Sequence, residues 1–389
     1  MKSRASMDFR FNRNGKFRIL AIGDSHDKFT YNEKTEDMLN LLNKSAEMLK
    51  PDIAIFMGDI VSDWIREENR PATEDELFHE IDRICEPFYS RNIPIGITFG
   101  NHDGERTDSK RYLFSLFSRI PGFINTDTSG VTGVGNCYVP IYDKKNENML
   151  FNLWLIDSGS SAQDGSGGYA WVDNDQIDWY ENTCDELTAS NGGKVVPSIV
   201  FQHIPVCEEY LLLKETTFLN PYRVRGNGKY SKNFYTKGID CHGYLGEGPC
   251  VPARNNGQFR SWKSKGDVVA AVFGHDHLNA FQGEVEGILL CQTKCSGFHM
   301  YGDGLHQGVR LIELDETRPA DLTTKMYYYR DFFGTKCNSI KGYDLLTDRW
   351  HTNFKITLAV LGTATALTAA GITAEKLYSH IKKSKLLKK

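Results

Sequence analysis

The sequence holds no Cys-x-x-Cys pair, no excess of basic charge, no internal repeat and no long low-complexity linker. Each absence narrows the reading. The nine cysteines form an odd set, and Cys291 and Cys295, though close together, lack the second pair that a structural zinc site needs. They read as free thiols of a reducing compartment. The formal net charge is −4, so the basic face of a nucleic-acid binder is not expected and no nucleic-acid partner is indicated. Residues 1–16 form a polar, basic lead without an apolar run. No secretory signal peptide is read there, and the expected location of the main domain is cytoplasmic.

What is present is globular in composition, with 40% hydrophobic and 25% charged residues over 389 positions. That length suits one large domain or two ordinary ones. Short apolar runs recur, and each empties into a polar cluster. Phe17 to Ile22 reads as a buried strand ending at Gly23-Asp24-Ser25-His26. A helix is predicted over Lys34 to Lys50, stopped by Pro51. The strand Asp52 to Met57 then ends at Gly58-Asp59. A second helix is predicted over Thr73 to Arg91, with Thr73 as N-cap and Glu76 three residues on. The strand Ile93 to Phe99 follows and opens into Gly100-Asn101-His102-Asp103. This β-α-β-α-β order implies a parallel sheet with right-handed crossovers, and ligands of such sheets sit beyond the carboxyl ends of the strands.

The pattern continues. Val195 to Phe201 reads as a strand ending at Gln202-His203, and Asp267 to Phe273 as one ending at Gly274-His275-Asp276-His277. Between them, residues 206–262 show little periodicity and read as a loop-like insertion near the active site. Any one of these clusters alone is a common turn or a structural histidine. Five of them at successive strand ends make one joint site. Imidazole with carboxylate suits Zn, Fe or Mn, and the donors exceed what a single ion can use. Two divalent ions sharing a bridging aspartate would account for them.

Asp24-x-His26, Gly58-Asp59, Gly100-Asn101-His102-Asp103, His203 and Gly274-His275-x-His277 resemble, in order, the motifs of the calcineurin-like metallophosphoesterases. Gly246-Glu247-Gly248, Asn256-Gly257 and Gly308-Val309-Arg310 look like the purple-acid-phosphatase-like branch of plants and fungi. The resemblance implies an α/β fold, a four-layer α-β-β-α sandwich of two mixed sheets, over residues 17–335. It implies one metal on Asp24, His26 and His277, another on Asn101, His203 and His275, and Asp59 as the bridge. By the same resemblance His102 protonates the leaving oxygen of a phosphorylated substrate and Asp103 orients His102. Two positions depart from the purple acid phosphatases proper. Ser62 stands where they carry tyrosine, and His26 where they carry glycine, so no tyrosinate-to-iron colour is expected.

The function implied is hydrolysis of a phosphomonoester or phosphodiester by a hydroxide activated between two metal ions (Mn, Fe or Zn). Alternatives are a phosphoprotein phosphatase of the same fold and a non-catalytic metal-binding scaffold. Residues 336–355 are expected to be a linker. Residues 356–389 are expected to form a hydrophobic helix with a basic tail, Lys382 to Lys389. The segment 356–374 would span about 28 Å as a helix at roughly 1.5 Å per residue, barely a membrane core. Membrane association is the expectation there, and a helix docked on the globular domain the alternative.

Overall fold

Two β-sheets face each other in a computed structural model that describes residues 9–105 and 110–386. The first sheet has five strands in the order Thr323–Tyr328, Gly308–Asp315, Lys16–Ile22, Ile53–Phe56 and Ile95–Ile97. The last three are mutually parallel, as the β-α-β-α-β order requires, and the first two run antiparallel. The second sheet has eight strands. Its centre, Met149–Ile156, Ser198–Gln202, Val268–Phe273 and Ile288–Gln292, is parallel, and antiparallel strands close it beyond Ile288–Gln292.

Strand alternation sorts the apolar residues into three layers. Ile19, Ala21, Ile53 and Ile55 of the first sheet meet Leu153, Ile199, Phe201 and Val272 of the second in a middle core. Leu20, Ile22, Ala54 and Phe56 point the other way, onto the helices Glu33–Leu49, Glu74–Tyr89 and Lys110–Phe117. Trp154, Val200, Ala271 and Leu290 likewise face the helices Asn174–Ser190 and Gln258–Lys265. The result is an α-β-β-α sandwich whose strands are buried on both faces.

The helices form where caps and stops allow. Asn32 caps Glu33–Leu49 by accepting from the Lys34 amide, and the helix ends at Lys50 with φ 48°. Thr73 and Glu76 form the anticipated capping box on Glu74–Tyr89. Glu76 Oε2 accepts from the Thr73 amide at 2.8 Å and the same carboxylate holds Arg70 at 2.7 Å.

Several stretches differ from the sequence reading. The strand Phe9–Arg10, inside the expected lead, pairs with Cys137–Tyr142, itself in a stretch with no clear pattern. Only two residues long, it buries Phe9, and Phe11 follows it into the middle core. The insertion 206–262 is not a loop. It contains the three-stranded sheet Leu213–Thr216, Phe234–Lys237 and Val224–Arg225. The linker 336–355 is not free either. The amides of Asn338 and Ser339 donate to buried Asp37 at 3.0 and 2.7 Å, and a helix already begins at Asp348.

That helix, Asp348–Leu386, docks its first turns on the insertion and on Asp303. The Asp348 amide donates to Asp303 Oδ1 at 2.7 Å, and Asn353 Nδ2 to the Pro221 carbonyl at 2.8 Å. The Arg349 guanidinium lies 4.5 Å from the Tyr244 ring centroid. Beyond this, Leu358, Val360 and Leu361 are exposed. Among the described residues no helix is long and apolar enough to cross a membrane, so the expected span through 356–374 has no structural support there. Residues 1–8 of the lead, Ser109 and residues 387–389 of the basic tail lie outside the described residues.

The capping box carries a stability test. Thr73→Ala removes one reciprocal pair and is expected to cost about 1 kcal/mol. Urea unfolding reads it as a lowered midpoint at unchanged slope; an unmoved midpoint means the box contributes nothing.

Candidate metal centre

The carboxyl ends of strands from both sheets converge on one site. The first sheet delivers Asp24 and His26 after Lys16–Ile22, Asp59 after Ile53–Phe56, and Asn101, His102 and Asp103 after Ile95–Ile97. The second delivers His203 after Ser198–Gln202, and His275 and His277 after Val268–Phe273. Asp24, His26 and His277 form one cluster that could hold a metal ion, and Asp59, His203 and His275 form another. Asn101 Oδ1 sits 3.1 Å from His203 Nε2 and so joins the second cluster.

Asp59 links the two. Its Oδ2 lies 3.4 Å from His26 Nε2 and 3.3 Å from His203 Nε2. Its Oδ1 is occupied, accepting from the His102 amide at 2.7 Å. One oxygen therefore faces both clusters, and the other anchors the carboxylate. Asp24 is held by the His275 amide, 2.9 Å from Oδ2, which ties the two sheets together.

The imidazoles are oriented from behind. His203 Nδ1 is 2.7 Å from the Met57 carbonyl and His277 Nδ1 is 3.1 Å from that of Tyr301. Each Nδ1 donates, so each Nε2 is turned to the site, the arrangement typical of metal-ligating histidines. His277 Nε2 faces His26 Nε2 at 3.1 Å, and His203 Nε2 faces His275 Nδ1 at 3.2 Å. Facing nitrogen lone pairs repel unless a proton or a cation lies between them. His275 Nε2 is buried with no hydrogen-bond partner among the described residues. Buried polar atoms are normally satisfied, so this donor-rich, under-satisfied set fits divalent cations.

Backbone strain collects here. Asp24, His26, Asp59 and His275 all have positive φ, at 21°, 42°, 50° and 71°. Such residues cost of order 1–3 kcal/mol each and persist only when the surroundings over-determine them. Asp103 is one of those surroundings. Its carboxylate accepts from the amides of Asp59, Ile60 and Gly100 at 2.7, 2.9 and 2.8 Å. This corrects the expectation that Asp103 orients the His102 ring: three amides take its oxygens and splice two ligand loops together. The ring of His102 is instead 2.9 Å from Glu105 through Nδ1. His102 is half-exposed, with its centroid 5.6 Å from that of His26.

Burial pushes His26 down to about 3 and His277 to about 4, so both rings are neutral at pH 7. His275 is also held well below the usual range by burial and by His203. His203 behaves differently. Burial opposes its charge, but the carboxylates of Asp59 and Asp24 outweigh burial and raise it to about 9. Burial pushes Asp24 up, while His203 holds Asp59 down against burial.

The family model described as calcineurin-like phosphoesterase matches residues 17–279. The chain belongs to this family. Family members similar to it include "Probable inactive purple acid phosphatase 14" of Arabidopsis thaliana, 27% identical over 78% of this chain and 76% of that protein. "Phosphatase DCR2" of Saccharomyces cerevisiae is 26% identical over 69% of this chain and 45% of that protein. Among solved structures, a dimetal phosphatase from Danio rerio aligns with a TM-score of 0.47 at 10% identity, covering 80% of this chain and 99% of that one.

All nine motif residues of this phosphoesterase-family chain thus meet in one place. Sequence reasoning missed three neighbours. Glu105 stands three residues after His102, a spacing that could have been noticed. Tyr301 stacks on His277 with centroids 4.3 Å apart, and Tyr169 meets His275 edge-on at 4.2 Å. Nothing in the local sequence marks either tyrosine.

Two outcomes are expected. A Cβ on Gly100 would lie 2.1 Å from Asp59 Oδ1. Gly100→Ala should therefore displace Asp59 and lower bound metal, read by elemental analysis; full metal content would sink the steric account. Because His203 is raised to about 9, it carries a proton at pH 7 that an incoming cation must displace. Calorimetry of metal loading at pH 7, in buffers of differing ionisation enthalpy, should show release of roughly one proton from this ring, with affinity rising as pH approaches 9. Loading without proton release contradicts this.

Proposed function

We propose that this chain is a metal-dependent phosphoesterase with a binuclear centre, hydrolysing a phosphomonoester or phosphodiester. The observation that supports it most is the position of Asp59 Oδ2, within 3.4 Å of a ring nitrogen in each cluster. A shared carboxylate between two complete donor sets has little use in a packed core. In this reading Asp24, His26 and His277 hold one ion, Asn101, His203 and His275 the other, and Asp59 bridges. Nitrogen and oxygen donors of this kind suit Mn, Fe or Zn. The ions, when bound, activate water as the nucleophile and offset charge on the phosphoryl oxygens.

The chain's own residues supply the rest. The amide-anchored Asp59 and the two oriented histidines His203 and His277 keep the donors fixed before substrate arrives, which lowers reorganisation during reaction. His102 protrudes next to His26 without joining either cluster. Its Nδ1 is engaged with Glu105, so Nε2 is the atom left to hold a proton for the substrate. As the bond from phosphorus to the ester oxygen breaks, that proton passes to the leaving oxygen, while the oxygen of a water molecule bonds to phosphorus and the water's proton is released to solvent. Glu105, rather than Asp103, steadies the ring.

A non-catalytic scaffold is the rival, and relatives named as inactive keep it in view. Loss of donors would favour it, and each expected donor is present in the sequence. The test is metal-dependent hydrolysis of generic phosphate esters by purified protein loaded with Mn, Fe or Zn; no hydrolysis of any ester would refute the enzyme. His102→Ala is expected to lower kcat about 100-fold or more, the usual scale for a lost general acid, with metal content kept. Asp59→Asn should lose activity and metal together. Equal metal loss in both variants removes His102 from the acid role.

A further inference from the structure

A cavity of about 210 Å³ opens beside the site, and His26, His102, Lys28, Trp64, Arg66 and Met300 are among the residues that line it. It is smaller than the roughly 300–1,000 Å³ of sites that enclose a whole drug-sized ligand. It has room for one part of a substrate. Which part follows from His102, on the reading that this ring protonates the leaving oxygen. That oxygen must lie at His102, so the group attached to it extends into the cavity. We propose that this cavity is the leaving-group pocket, and that Lys28 and Arg66 select a leaving group carrying its own negative charge, a carboxylate or a second phosphate.

The cations come from separate elements. Lys28 lies two residues beyond His26, and Arg66 sits in the turn of the hairpin formed by Trp64–Ile65 and Arg70–Pro71. Neither forms an ion pair within 4 Å among the described residues. Two acids also border the cavity, and Glu67 lies near enough to Lys28 to act on it without pairing within 4 Å. Asp63 is buried, and Glu105 is turned to the His102 ring at 2.9 Å. The nearby Glu68 and Glu76 are taken by Arg70 at 2.6 and 2.7 Å. Two cations that line one cleft close enough to repel each other favour an anion between them, and a charged acceptor forms stronger hydrogen bonds than a neutral one. Trp64 and Met300 supply apolar surface for the body of the group.

The experiment compares three esters on the metal-loaded full chain: phenyl phosphate, its ring-carboxylated analogue and a ring-phosphorylated analogue. The readout is kcat/KM for each charged ester divided by that for phenyl phosphate, which cancels damage common to all. Wild type is expected to favour at least one charged ester, and which one identifies the anion. Arg66→Glu and Lys28→Ala should each lower that ratio by about tenfold, the scale of one hydrogen bond to a charged group. Hydrolysis with a ratio that neither substitution moves overturns the pocket and leaves the phosphoesterase reading standing. Protein inert toward all three esters overturns that reading, and the pocket with it.

Discussion

Asp24, Asp59, His203 and His275 are buried within one small volume, and that constraint shapes everything around them. Removing a charge from water costs several kcal/mol even after relaxation unless partners replace the solvent. Here the partners are mutual. His203 holds Asp59 ionised, the two carboxylates hold His203 protonated, and burial keeps His26, His275 and His277 neutral. Burial meanwhile pushes Asp24 toward its neutral form, so the set is rich in donors and poor in positive charge. Divalent cations are the natural complement, and their arrival must expel the His203 proton. The same burial that makes the empty set costly makes it selective for multivalent positive charge.

Such a cluster cannot hold itself together. Four of its residues sit at positive φ, and like-charged oxygens repel. The restraint comes from outside the ligand set. Asp103 gathers three amides from two loops, Met57 and Tyr301 fix two imidazoles through carbonyls, and the His275 amide grips Asp24 across the sheets. Behind these lies the middle core. Its apolar side chains contribute of order 1.5–3 kcal/mol each on burial, enough together to offset strain of a few kcal/mol at the strand ends.

The sequence was most legible where one residue's neighbours in sequence decide its structure. Buried strands, the Thr73–Glu76 capping box and the polar clusters at strand ends are local patterns, and the nine motif residues could be named from them. It was least legible where distant contacts decide. Phe9–Arg10 is too short to be a strand alone and exists because Cys137–Tyr142 receives it. Residues 336–339 read as linker because nothing local shows that Asp37, some 300 positions away, binds their amides. The misplaced role of Asp103 has the same origin. Adjacency to His102 suggested a partner, but successive turn residues point in different directions, and the carboxylate fell among backbone amides instead.

Two sheets must also approach closely enough to share ions, and glycine is what permits it. A Cβ on Gly58 would lie 2.7 Å from His203 Nδ1, and one on Gly274 would lie 2.9 Å from Asp24 Oδ2 and 3.0 Å from the Met57 carbonyl. Each of these glycines directly precedes a motif residue, Asp59 or His275, and each faces the opposite sheet. In Gly58-Asp59 and Gly274-His275 the glycine is therefore as much part of the site as the motif residue that follows. It sets the distance between backbones, and the ligand uses that distance. A substitution there would act by prising the sheets apart at the rim, leaving every donor present in sequence and out of reach in space. A full set of motif donors can meet at one site only when the glycines that bring them together are also in place, as they are here.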